Sequence, residues 1–379
     1  MEMPNETIVS YCATFLKPEM LHVYRQVSGV RSFRNIVITR RLENQQRFPH
    51  APLIELKKSP FRFFQRLWHR SQGERVPVAD HEISQLSRIV RREAVGLVHI
   101  YFGTEAARLS HWLPQAGVPI IVSFHGADVS QSISDGELKV VFESAALILH
   151  RSDSLREALI SRGAPISKLR ANPTGVPVPA EASGIQIDSG KPLCLLQACR
   201  FIEKKGLDVS LEATKMLVDL GFDAHLTLAG DGPLRGDLES LAEQLGIDSR
   251  IRWTGFLTPE QLAEEYERTD IFLHPSRETS SGDREGIPNS LLEAMAHGRV
   301  VLGTRHSGIP EAVENGVNGL LVDHADAGLV AEAIGLLARN FRQAQPMATA
   351  ARQSVVDRFS TEACISQLES CYREVMGRG

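Results

Sequence analysis

Little in this chain invites disulfides. Five cysteines (Cys12, Cys194, Cys199, Cys364 and Cys371) are scattered over 379 residues with no C-x-x-C pair, which points to a reducing compartment. Long apolar runs are absent too. The stretch 118–124 is among the longest and is far too short to span a bilayer. The opening MEMPNETIVSYC lacks a basic segment followed by an apolar one, so no signal peptide is expected. Charge of one sign is not in excess: 42 Lys and Arg face 46 Asp and Glu, a net of −4, and nothing global marks a nucleic-acid binder. Tandem repeats and low-complexity segments are missing. No Asp-x-Asp occurs, and no intact G-x-G-x-x-G follows the first strand of either half, which disfavours a dinucleotide-dependent dehydrogenase. These absences together describe a cytoplasmic protein.

What is present is a soluble, globular composition, 42% hydrophobic and 23% charged, in a chain long enough for two cores. Short apolar runs alternate with longer amphipathic ones, the pattern of parallel sheets with crossover helices. Strands are expected over residues 8–12, 35–39, 53–56, 97–101, 120–124 and 146–149, with helices between them such as 83–92 and 154–162. A Pro- and Gly-rich break over 173–192 has no helical period and reads as a linker. The alternation then restarts, with strands over 193–198, 224–229, 251–253, 271–273, 300–303 and 319–322. Helices are expected over 207–220, 234–245, 259–268, 288–297 and 327–339. A last helix, about 361–376, carries Ile365, Leu368, Cys371, Tyr372 and Val375 on one face, a stripe that must cover something. The expected fold class is α/β, with a domain over 1–178, a second over 190–357, and the terminal helix, about 358–379, returning to the first. Two doubly wound units imply a cleft between them, with ligands at the carboxyl ends of their strands.

Four segments carry candidate chemistry. In EGIPNSLLEAMAHG, Glu285 and Glu293 stand eight apart, with Gly286, Ile287 and Pro288 opening a helix between them. Proline suits the first helical position, so free N–H groups and a partial positive charge would lie next to Glu285. Carboxylates beside such an anion site can accept hydrogen bonds from sugar or ribose hydroxyls; equally, Glu285 could be a capping acid and Glu293 part of a solvated face. In CRFIEKKGLDVS, Arg200 and Lys205 lie at a strand exit, where fixed cations would stabilise a diphosphate leaving group, or simply be solvated loop charge. In LTLAGDGPLRG, Gly230, Gly232 and Gly236 form G-x-G-x-x-x-G, one residue off the dinucleotide fingerprint; a tight turn bringing backbone close to a ligand is the better reading. In IIVSFHGADVS, His125, Gly126 and Asp128 end a buried strand, where a histidine is either a packed structural residue or a group facing a cleft.

Together these stretches resemble the large family 4 of retaining glycosyltransferases, which have the two-Rossmann-domain (GT-B) fold. EGIPNSLLEAMAHG matches the family's E-x7-E signature, and HSGIPEAVENGVNGLLV the G-x-P-E segment after it. FHGADVS and the residues before EGIP are more specifically similar to the colanic acid and exopolysaccharide branch. The resemblance implies a hexosyltransferase that uses a nucleotide sugar, a uridine donor being the expectation, without a metal or other cofactor. It implies that Glu285 contacts the donor sugar, with the Gly286 and Ile287 amides, Pro288 and Asn289 in the same donor-binding turn. Glu293 would hold the ribose, Arg200 and Lys205 would clamp the diphosphate, and Gly230 and Gly232 would line the donor site. His125 would approach sugar hydroxyls, and Glu311 would be structural. One departure matters: the segment SYCATFLKPEMLHVYRQV after the first strand has no glycine, so the family's Gly-rich acceptor loop has no counterpart here.

From Arg25 to Arg75, twelve Lys and Arg face three Glu. Within that stretch SPFRFFQRLWHR puts Arg62, Arg66 and Arg70 on one helical stripe and Phe61, Phe64 and Trp68 on another. Residues 57–75 would suit an anionic membrane surface or a core-packing helix with solvated arginines. The expected partners are a nucleotide-sugar donor and a glycan or lipid-linked acceptor, with no nucleic acid. The competing functions are an inverting transferase, a sugar phosphorylase, and a non-catalytic nucleotide-sugar-binding module on the same fold.

Overall fold

A computed structural model describes residues 6–17, 20–58, 76–129, 133–182, 184–185, 191–279 and 286–377. The chain divides into two units, Met1–Gly175 with Thr361–Gly379, and Val176–Ser360. The first holds seven parallel strands: β1 (Thr7–Phe15), β2 (Arg34–Leu42), β3 (Leu53–Glu55), β4 (Leu97–Tyr101), β5 (Ile120–Ser123), β6 (Leu147–His150) and β7 (Leu169–Ala171). Their order is β3-β2-β1-β4-β5-β6-β7. The second holds six: β8 (Leu193–Ala198), β9 (Ala224–Ala229), β10 (Ile251–Gly255), β11 (Ile271–His274), β12 (Val300–Thr304) and β13 (Leu320–Val322), again parallel. Their order is β10-β9-β8-β11-β12-β13. Each sheet reverses its direction of growth beside its first strand, so the switch points lie between β1 and β4 and between β8 and β11. At such points the loops leaving the carboxyl ends diverge and make room for a ligand.

The central strands read as unbroken apolar runs because helices cover both faces: every residue of β4, β11 and β12 is buried. Two elements, a strand and a helix, were hard to foresee. β7 is only three residues long, too short for any period. The helix Ala344–Arg358 buries mainly Ala344, Met347, Ala348, Ala351 and Val355, and alanine gives weak contrast between its faces. The 173–192 stretch is not wholly a free linker: Val176 is fully buried and bridges to Ser360. The helix expected from residue 288 begins one residue later, at Asn289. Pro288 precedes it in extended backbone, φ −71° and ψ 127°, since it has no N–H to give and φ alone does not commit it to the helix.

The terminal helix Thr361–Val375 belongs to the first unit. It packs Leu368, Cys371 and Tyr372 against Ile8, Leu97, Ile121, Leu147 and Leu149. Tyr372 also reaches His99 in the middle of β4, with Oη 2.7 Å from Nδ1, and the other ring nitrogen meets Ser123 Oγ at 2.5 Å. Burial pushes His99 down to about 3, so this ring is a neutral structural group. Part of the basic stretch is also internally matched. Arg40 and Glu82 form a buried two-pronged pair at 3.0 and 3.1 Å, and Arg34 pairs with Glu93 at 3.1 Å. Both acids lie beyond the twelve-to-three count, which therefore overstates the free charge. Residues 59–75, with the aromatic and arginine stripes, lie outside the described residues. Among the described residues no helix is long and apolar enough to cross a membrane.

Candidate active site

In the second unit the site is built where β8 and β11 end. The loop leaving β8 stays zipped to the loop leaving β9: Cys199 N–H donates to Ala229 O at 3.0 Å and Phe201 N–H to Asp231 O at 2.9 Å. Gly230 has φ +133°, and a Cβ there would lie 1.9 Å from Cys199 O; one at Gly232 would lie 2.6 Å from Phe201 O. The backbone these two glycines approach is thus the neighbouring loop, which they let lie flat along the sheet edge. Gly236 meets nothing within 4 Å. This braced loop carries Arg200, which is exposed, and Lys205, which is partly buried at the end of a short turn, Glu203–Lys205. Gly206 then enters the helix Leu207–Asp219 at φ +61°, with Pro275 O where a Cβ would sit. Arg277 ties the loop leaving β11 to this turn, its N–H on Lys204 O at 3.0 Å and its guanidinium on Asp208 at 2.8 Å.

The helix Asn289–Ala296 follows. It has no side-chain cap and no acid in its first turn, and its ladder starts with Leu292 N–H on Pro288 O at 3.2 Å. The N–H groups of residues 289–291 come before that ladder, a terminus suited to an anion. Gly286 and Ile287 lie directly over Gly308, where an added Cβ would come within 2.7–2.9 Å of their peptide. Glu293, one turn in, is partly buried on an otherwise largely buried helix, with Oε2 3.3 Å from Tyr266 Oη; the same hydroxyl is 3.2 Å from Ser290 O. It is therefore a held carboxylate rather than part of a solvated face. Glu285 lies outside the described residues. Behind these groups, Thr304 Oγ1 donates to Ser276 O at 2.5 Å. Ser276 Oγ and Gln197 Oε1 are buried without a hydrogen-bond partner among the described residues.

In the first unit His125 lies two residues beyond the end of β5 and is 8% exposed. Its ring packs 4.3 Å from Phe102 and 5.6 Å from His22. Asp128 fixes the turn: Oδ2 accepts His125 N–H at 2.9 Å and Gly103 N–H at 3.1 Å. Burial still pushes Asp128 up to about 6. Arg151, immediately after β6, points Nη2 at His125 Nε2, 3.4 Å away. A guanidinium can only donate, so Nε2 holds the lone pair. Burial, with Arg151 beside it, holds the imidazole well below its ordinary range, so the ring is neutral and its one proton is on Nδ1. That atom is buried and has no partner among the described residues, leaving a preset donor.

Arg151, Tyr266 and Gly308 escaped the sequence reading. Arg151 had a signal: it directly follows the apolar run of β6, as His125 follows that of β5. Tyr266 and Gly308 had none, because each acts through a contact across distant chain segments.

The segment Leu193–Arg339, with the residue after it, matches the family described as glycosyl transferases group 1, over residues 193–340. The chain is similar to the amylovoran biosynthesis glycosyltransferase AmsK of Erwinia amylovora, 33% identical over 72% of this chain and 68% of that one. It is also similar to the putative colanic acid biosynthesis glycosyltransferase WcaL of Salmonella typhimurium, 34% identical over 68% of this chain and 64% of that one, so the match spans less than two thirds of that relative's length. Among solved structures, Anabaena Alr3699/HepE in complex with UDP superposes with a TM-score of 0.77 at 16% identity, over 97% of this chain and all of that one. That likeness establishes the fold, two parallel α/β units of the GT-B kind. With the identity and span of the AmsK match, this chain belongs to the group 1 glycosyltransferase family.

Proposed function

We propose that the protein is a retaining hexosyltransferase that moves a sugar from a uridine diphosphate donor to an alcohol of a glycan or lipid-linked acceptor, in the synthesis of a polysaccharide. One observation carries this reading: a single sheet edge brings together a braced loop bearing Arg200 and Lys205, an uncapped helix terminus at Asn289, and a held carboxylate at Glu293. Cations and amide N–H groups suit a diphosphate whose charge grows as the sugar departs. Glu293 accepts from the ribose hydroxyls, and Glu285 from the donor sugar. His125 donates its Nδ1 proton to a sugar oxygen. In the transfer, the acceptor oxygen bonds to the anomeric carbon as the carbon–phosphate oxygen bond breaks. The acceptor proton passes to the leaving phosphate on the same face. No protein nucleophile and no metal enters this scheme.

The test is a thermal-shift and donor-hydrolysis screen against UDP- and GDP-sugars, with and without chelator. Stabilisation and slow hydrolysis with one UDP-sugar, unchanged by chelator, is the expected result. Glu285→Ala should keep its fold and lose most turnover. Turnover that requires inorganic phosphate would instead indicate a phosphorylase, and binding without hydrolysis or transfer a binding module. Residues 57–75 are proposed to dock the enzyme on the anionic cytoplasmic leaflet. Flotation with anionic but not neutral liposomes is expected, and equal recovery with both would remove that role.

A further inference from the structure

We infer that Arg151 anchors a subsite in the first unit for an acidic group of the acceptor, a phosphate or a carboxylate, an assignment that rests on the transferase reading above. The guanidinium stands at the carboxyl end of β6, on the sheet edge that also carries His125. Among the described residues its hydrogen-bond partners are neutral: Nη1 donates to Thr174 Oγ1 at 2.6 Å and Nη2 faces His125 Nε2 at 3.4 Å. Among the described residues it has no ion pair. Asp128 is near enough to be felt electrostatically, yet its oxygens are committed to the His125 and Gly103 amides and to the Thr104 hydroxyl at 3.3 Å.

The rings around it add no negative charge. His125 is neutral, and His99 is neutral and held by Tyr372 and Ser123. Burial lowers Arg151 itself to about 10, so it stays charged at neutral pH while losing hydration. Asp128 supplies negative charge nearby but no hydrogen bond, and a guanidinium removed from water with N–H donors unmet is costly. The cost is relieved when a ligand brings the anion. The fork of a guanidinium matches the oxygens of a phosphate or carboxylate. The proposed scheme already gives the donor diphosphate its cations, Arg200 and Lys205, which leaves Arg151 unassigned. The anion it meets therefore belongs to the acceptor.

Full-length protein saturated with UDP would be titrated calorimetrically with glucose 1-phosphate, glucuronate and methyl glucoside. Loss of a charge-assisted hydrogen bond weakens binding roughly tenfold or more. At least one acidic probe should bind tighter than the neutral glucoside by that factor; a preference for glucose 1-phosphate assigns a phosphate, and for glucuronate a carboxylate. Arg151→Gln should abolish the advantage, and Arg151→Lys should recover part of it in a folded protein. Equal binding of all three probes, or an advantage that survives Arg151→Gln, overturns the proposal. Stabilisation by UDP is read on the same samples. Its absence in the wild type counts against the donor reading of the second unit, whereas lost anion discrimination with an intact UDP response counts against Arg151 alone.

Discussion

At the scale of single residues, the three glycines of the G-x-G-x-x-x-G stretch separate cleanly. Gly230 combines a positive φ of +133° with a carbonyl 1.9 Å from where a side chain would begin, and Gly236 meets nothing. Backbone strain and a forced shift together should make Gly230→Ala cost roughly 3 kcal/mol. Gly236→Ala lies inside the helix Arg235–Gln244 and should gain up to about 1 kcal/mol. Chemical denaturation of both variants checks the contrast, and equal effects would refute it. Asp128 makes a second prediction. Its folded pKa of about 6 lies above the ordinary 3.8, so its contribution favours the fold fully below pH 4 and is lost as pH rises through 6. A shift of about two pK units corresponds to roughly 3 kcal/mol. Asp128→Asn should remove that decline, and stability measured between pH 4 and 7 should fall less steeply than in the wild type. Parallel curves would show that Asp128 titrates normally.

At the scale of elements, the helix Asn289–Ala296 shows how much of the site the chain spells out. The E-x7-E spacing, the proline and the apolar stripe locate the helix to within a residue. They do not reveal why its amino terminus is where it is. That depends on Gly308, 19 residues on from Asn289, whose missing Cβ lets the Gly286–Ile287 peptide rest against it. The same holds for Glu293, whose partner Tyr266 sits on the preceding helix, Pro259–Glu267. Periodicity reports what one element does with its own faces, so strands, helices and their order were legible. Contacts between loops from different strands, and a cation such as Arg151 whose meaning depends on what is missing around it, were not. Gly308→Ala tests the element directly. Its φ of −80° tolerates alanine, so the stability cost comes from the clash with backbone alone, about 1–3 kcal/mol. The added methyl must displace the Gly286–Ile287 peptide, and UDP-sugar affinity should fall by about tenfold, as expected where backbone donors to a charged ligand are misaligned. An unchanged KM would show that this turn does not touch the donor.

At the scale of the whole molecule, the chain crosses between its units twice, leaving the first at Gly175 and returning at Thr361. The first core is therefore completed by the helix Thr361–Val375, which follows the whole second unit in sequence. Leu368 is fully buried against strands β1, β4, β5 and β6, while the second unit keeps separate cores of its own. Truncating Leu368 to alanine should destabilise by about 2–5 kcal/mol, the usual range for a buried leucine. Stability is distributed over cooperative units rather than spread evenly. If the units fold separately, amide hydrogen exchange in Leu368→Ala should quicken in β4 and β5 and stay at wild-type rates in β11 and β12. UDP should still stabilise the second unit in that variant. Faster exchange in all four strands by the same factor would instead make the two units a single cooperative structure, and the separate cores would then share one unfolding transition.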